Sequence, residues 1–204
     1  MRDLERALTD IRAMRSQIAR GTEFRGYGPA AFAASGVLAI AAAFVQSHWL
    51  DDPASETLGF LALWIATALL SAIVIGIDVV TRSRRVHSGI ADEMIQSAVE
   101  QLLPAVVAGV LLTAVLARYA PQTLWMLPGL WQIIVSLGVF AACRMLPAPL
   151  LIVGVWYLAT GLACLAFANG TSAFSPWAMG LPFGIGQLMS AVLIHFIGQR
   201  DVEQ

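Results

Sequence analysis

LLIVGVWYLATGLACLAF, residues 150–167, decides the fold of this chain. It carries no charge from end to end, and its apolar and polar residues do not alternate. A bilayer gives backbone amides no water to bind, so only helices and closed β-barrels cross it. Barrel strands alternate in facing over segments of ~10 residues. Neither this run nor GVLAIAAAFV (36–45) does so, and both read as helix.

Working outward from it, five further runs share the same character. The six are about Pro29–Leu50, Leu58–Val80, Leu102–Ala117, Leu124–Leu146, Leu150–Ala168 and Pro176–Ile197. About 20 apolar residues in a helix suffice to cross a hydrocarbon layer of ~30 Å. Composition agrees: 58% of the 204 residues are hydrophobic and only 12% are charged, against roughly 25% charged in soluble domains. The expected fold is an all-α integral membrane protein with six transmembrane helices. Little chain is left for a soluble domain.

Charge placement predicts the orientation. All 12 basic residues are arginine. Arg2, Arg6, Arg12, Arg15, Arg20 and Arg25 precede the first span. Arg82, Arg84 and Arg85 lie between spans two and three, Arg144 between four and five, and Arg200 after six. Only Arg118 falls on the other side. The excess of arginine on one side predicts cytoplasmic N- and C-termini, with the DDPASE loop (51–56) outside. The charged N-terminus has no apolar core of a cleavable signal peptide, so the first span is expected to direct insertion.

Residues 1–28 form a cytoplasmic arm and hinge. In MRDLERALTDIRAMRSQIAR (1–20), Leu4, Leu8, Ile11, Met14 and Ile18 share one helical face, spanning roughly 120° at about 100° per residue. Three readings stand for this amphipathic helix. It could lie on the inner leaflet, pack against its own bundle, or dock a cytosolic protein through a short heptad-like pattern. GTEFRGYGP then breaks the helix at Gly21, Gly26 and Gly28, and Pro29 suits the first position of the next one. Phe24 and Tyr27 on one side, and Trp49, Tyr119, Trp125 and Trp177 on the other, fit interfacial aromatic belts.

The chain also repeats itself. LPAVVAGVLLTAVL (103–116) matches LPFGIGQLMSAVL (181–193); LALWIATALL resembles VGVWYLATGL around Trp64 and Trp156; SGVLAIAAAF resembles SLGVFAAC. The order one-two-three recurs as four-five-six, so residues 29–118 and 119–204 read as two three-helix copies. An odd number of spans inverts the second copy, as in transporters whose substrates sit at the repeat interface beside interrupted helices. Pro104 and Pro182 interrupt the matched helices. Close packing is the competing explanation. Gly180 and Gly184, the stripe Ala105, Gly109, Thr113 and Ala117, and the stripe Ala31, Ser35, Ala39 and Ala43 all have the spacing of tight helix contacts.

Polar residues within the spans are few. Gln132 and Gln187 lie deepest, and each needs a hydrogen-bond partner on a neighbouring helix. Gln187, beside Gly184 and Gly186, is the first candidate for a solute contact, with Gln132, Pro104 and Pro182 completing the set. Asp78, Glu100, Arg144 and His195 fall at cytoplasmic span ends, where they form either a polar vestibule or ordinary snorkelling pairs such as Asp78–Arg82. Cys143 and Cys164 are isolated and read as packing residues. No HExxH, GxSxG or phosphate-binding loop occurs, so no enzyme, metal or cofactor is expected.

LPGLWQ (127–132), RMLPAPLLIVGVWYLATGL and SPWAMGLPFGIGQL, with the FRGYGP approach to the first span, resemble an uncharacterised family of small six-span bacterial inner-membrane proteins. That resemblance implies an integral membrane protein and carries over no catalytic or binding residue. Two functions follow as expectations. One is binding or permeation of a small solute between the inverted repeats, in a bundle small enough to be expected to dimerise. The other is a membrane-embedded sensor or regulatory partner presenting residues 1–20 to a cytosolic protein. The bilayer is the principal partner, and no nucleic-acid contact is expected.

Overall fold

The computed structural model describes residues 28–50, 56–86, 91–142, 148–168 and 170–200. The amphipathic arm, most of the hinge and of the DDPASE loop, Cys143 and Arg144 lie outside the described residues. Among the described residues six α-helices follow one another: α1 (Pro29–Trp49), α2 (Thr57–Val86), α3 (Ala91–Tyr119), α4 (Leu127–Ala142), α5 (Leu151–Phe167) and α6 (Pro176–Arg200). Short 3-10 turns at Pro121–Met126, Ala148–Leu150 and Gly170–Phe174 lead into the last three. The described residues contain no strand.

Four segments are long and apolar enough to cross a membrane: Pro29–Trp49, Thr57–Thr81, Pro121–Ala142 and Pro176–Ile197. The other two apolar helices, Leu103–Tyr119 and Leu151–Phe167, are shorter. At 1.5 Å per residue, 17 residues give roughly 25 Å. The helix boundaries also differ from those expected. α3 begins at Ala91 rather than near Leu102, because ADEMIQSAVEQ is rich in good helix formers and continues the helix through polar sequence. Residues 121–126, at the start of the expected fourth span, form a 3-10 turn opened by Pro121.

Neighbouring helices run antiparallel around the bundle, and α1 closes it against α6. The α1–α6 seam is the closest. A Cβ added at Gly180 would lie 2.5 Å from the Ala43 Cβ, and one at Gly184 would lie 2.7 Å from Ile40 Cγ1. Ala31, Ser35, Ala39 and Ala43 are all buried, so the expected small-residue stripe is a packing face. A second seam joins α4 to α5, where the Gly129 and Gly161 backbones meet. Large aliphatic side chains point outward instead: Val37 is 59% exposed, Leu69 61% and Val110 63%. Small and polar residues inside with branched aliphatics outside is the arrangement lipid favours, where burial of leucine no longer drives helix association.

Hydrogen bonds at the two ends of the bundle fix the first hairpin. Gly28 is extended and caps α1, with Pro29 at its first turn as expected. The Gly28 backbone N–H donates to Asp78 Oδ2 at 2.8 Å, tying the start of α1 to α2. At the opposite end Gln46 is fully buried. Its Nε2 donates to the Phe174 carbonyl at 2.7 Å, and its Oε1 accepts from Trp64 Nε1 at 2.7 Å. Phe60 and Phe174 stack edge to face beside this clasp, with centroids 5.0 Å apart. Trp49 and Tyr119 are exposed at that same end, as belt residues would be.

Candidate solute site

The closest approach of α4 to α5 is set by two glycines. A Cβ at Gly161 would lie 2.8 Å from the Gly129 carbonyl oxygen and 3.1 Å from the Gln132 Cβ. One turn away on α5 from Gly161 is Tyr157, 1% exposed; one turn away on α4 from Gln132 is Ser136, fully buried like Gln132 itself. The antiparallel register places Gln132 beside Gly161 and Phe140 beside Gly154. Ser136 therefore stands level with Tyr157.

α6 completes the site. The Tyr157 ring lies directly on the α6 backbone at Gly186, where an added Cβ would sit 2.5 Å from Cζ and 2.6 Å from Oη. No other residue type fits under the tyrosine. The neighbouring Gln187 faces the Tyr157 hydroxyl with its side chain. On its other side it touches α1, since a Cβ at Gly36 would be 3.3 Å from the Gln187 Cβ. Gln187 thus stands at the junction of α1, α5 and α6.

Part of the local hydrogen bonding is structural. Pro182 has no N–H, so the Ala178 carbonyl one turn earlier loses its helical partner. Gln132 Nε2 donates to that carbonyl at 3.0 Å. Trp156 Nε1 donates to the Pro182 carbonyl at 2.9 Å, and Ser190 Oγ to the Gly186 carbonyl at 2.9 Å. Gln132 therefore does find the partner on a neighbouring helix that its depth demanded.

What remains is a group of orphans. Gln132 Oε1, Ser136 Oγ, Tyr157 Oη and Gln187 Oε1 are buried and make no hydrogen bond of good geometry among the described residues, although the Gln187 side chain lies close to the Tyr157 hydroxyl. Buried polar atoms are almost always paired with protein or ordered water. Here every orphan lies on α4, α5 or α6. Two are amide carbonyls that only accept, and two are hydroxyls that donate or accept. Such a set can hold a small hydrogen-bonding molecule. Among the described residues no group of three His, Cys, Asp or Glu side chains could hold a metal ion.

The remaining expected site residues are dispersed. Gly184 sits in the α1–α6 seam against Ile40. Pro182 is half-buried and its carbonyl is engaged, whereas Pro104 on α3 is exposed. Asp78 binds the Gly28 amide, and the Arg82 side chain lies outside the described set. Glu100 is exposed. His195 is also exposed; its Nε2 lies 3.2 Å from Gln199 Nε2. Sequence reasoning missed Ser136, Tyr157 and the structural Gln46. The i,i+4 spacing of Gln132 and Ser136, and a tyrosine in the middle of an apolar run, were the available signals.

The tryptophans of the similar stretches LALWIATALL and VGVWYLATGL take different partners. Trp64 on α2 donates to α1, whereas Trp156 on α5 donates to α6. No family model, curated protein or solved structure matches this chain.

Proposed function

We propose that the chain is a non-enzymatic, six-span protein of a bacterial inner membrane, with both termini cytoplasmic and an inverted three-plus-three repeat. On this reading it binds or permeates a small polar solute at Gln187, where the second copy meets α1 of the first. The observation that carries it is the gathering, in one half of the bundle, of the four orphaned buried polar atoms found among the described residues. An unpaired acceptor surrounded by hydrocarbon costs several kcal/mol, and a bound solute or water removes that cost.

The repeat is supported by the paired sequence echoes and by the ring of helix contacts, in which α1–α6 corresponds to α4–α3 and α1–α2 to α4–α5. Six crossings are supported by four span-length segments together with two 17-residue apolar helices between them. A bilayer accommodates such short spans by local thinning at modest cost. The experiment is a high-resolution structure of the full chain in lipid nanodiscs. Density bridging Tyr157 Oη and Gln187 Oε1 supports the reading. A direct Tyr157–Gln187 hydrogen bond with no intervening volume refutes it. Alkaline phosphatase fused after Gln204 is expected to be inactive, and an active fusion would reverse the orientation.

A further inference from the structure

The chemistry of the orphaned atoms narrows the solute. Gln132 and Gln187 present carbonyl oxygens, which accept and never donate. Ser136 and Tyr157 add hydroxyls able to complete either role. Gln132 gives one amide hydrogen to Ala178, and its carbonyl oxygen has no partner among the described residues. No Asp, Glu, Arg or His stands among Gln132, Ser136, Tyr157, Gln187 and the seam residues they touch. A charged guest would enter without a counter-charge, at high cost inside the membrane. The four groups are spread over α4, α5 and α6, with Tyr157 packed on the α6 backbone at Gly186.

We infer that the α4–α5–α6 seam selects a small uncharged hydrogen-bond donor, either water or a primary amide. Its O–H or N–H donates to Gln187 Oε1, and its oxygen accepts from Tyr157 or Ser136. The inference rests on the proposed solute site and specifies its ligand class. A cation would enter without a counter-charge, and an acceptor-only molecule of the same size would leave the Gln187 carbonyl unpaired.

The test uses the full chain in nanodiscs and reads the thermal midpoint. Three probes of matched size are titrated: acetamide, a neutral donor; acetone, an acceptor only; and methylammonium, a charged donor. Ligand bound to the folded state raises the midpoint in proportion to occupancy. If an amide is the natural guest, acetamide raises the midpoint, acetone and methylammonium do not, and Gln187→Leu abolishes the shift. If water is the guest, acetamide gives no shift, and the nanodisc structure shows a water between Tyr157 Oη and Gln187 Oε1 that Gln187→Leu removes; a direct Tyr157–Gln187 hydrogen bond in that place overturns the inference. A larger rise with acetone or methylammonium than with acetamide overturns the ligand class while leaving a solute site in place. No shift with any probe, together with a raised midpoint in Tyr157→Phe, overturns both the inference and the site, because the hydroxyl is then a plain unpaired burden.

Discussion

Replacing Gly161 with alanine probes whether the α4–α5 seam is as tight as its geometry indicates. The new methyl would lie 2.8 Å from the Gly129 carbonyl oxygen and 2.9 Å from Ile133 Cγ1. A side-chain end could rotate away, but a backbone carbonyl cannot, so α4 and α5 must move apart along their glycine contact. Overpacking of this kind costs about 2–3 kcal/mol, the upper part of its usual range. Alanine returns about 1 kcal/mol through its better helix propensity. The balance is a loss of about 1–2 kcal/mol, or a fall of roughly 2–8 °C in the thermal midpoint for a chain of this size. Gly76 on α2 supplies the control, since a Cβ there meets nothing within 4 Å. Gly76→Ala keeps only the propensity gain, and its midpoint should rise by up to about 2–4 °C. Both variants are measured by tryptophan fluorescence on heating in nanodiscs. A Gly161→Ala protein as stable as wild type would refute the close approach on which the position of Tyr157 depends.

Three further outcomes follow from individual hydrogen bonds. Gln132→Leu strands the Ala178 carbonyl and should cost about 1 kcal/mol; in a Pro182→Ala background, where residue 182 regains its N–H, most of that cost should vanish in a double-mutant cycle. Gln46→Leu leaves Trp64 Nε1 and the Phe174 carbonyl without the partner that holds both at 2.7 Å, and urea unfolding should show a loss of at least about 2 kcal/mol. Asp78→Ala frees the Gly28 amide at the start of α1, whereas Asp78→Asn keeps an acceptor there. Amide exchange at Gly28 should accelerate in the alanine variant, and equal exchange in the two variants would argue against the clasp.

The sequence carried the helices well and the contacts between them poorly. Long uncharged runs have one structural solution in lipid, so the number and order of helices were legible from composition. The start of α3 was not, because residues 91–102 are polar and helical at once, and an apolarity pattern sees only the first property. Gln132 and Gln187 stood out because polar groups in apolar runs are rare. Their surroundings did not, since the level of Ser136 against Tyr157 depends on how far α4 slides along α5. That slide is set by Gly129 and Gly161, which look in sequence like Gly76, though Gly76 faces open space. Gln46 was hidden for a related reason: near a span end it reads as an interfacial residue, and only the return of the chain at Phe174 buries it.

The matched prolines show why likeness between the two sequence copies does not extend to their chemistry. Each breaks one helical hydrogen bond, and at Pro182 the bundle absorbs the break: Gln132 reaches the carbonyl it strands, and Trp156 reaches its own. Pro104 is exposed, on a helix whose Leu103, Val106 and Val110 also point outward. Proline in place of an ordinary helix residue therefore accompanies a polar seam in one half and an exposed helix face in the other. On the proposed reading, an ancestral duplication supplied two equivalent breaks and only the second acquired Gln132, Tyr157 and Gln187 around it. Gln132 is the hinge of that argument. One end of its amide repairs the proline break and the other, Oε1, is itself without a partner among the described residues. Loss of Pro182 should therefore release Gln132 Nε2 from Ala178 and, with it, weaken any guest held at Gln132 Oε1. A Pro182→Ala protein that keeps the full acetamide or water response would separate the helix break from the site and leave Gln187 and Tyr157 as its sole determinants.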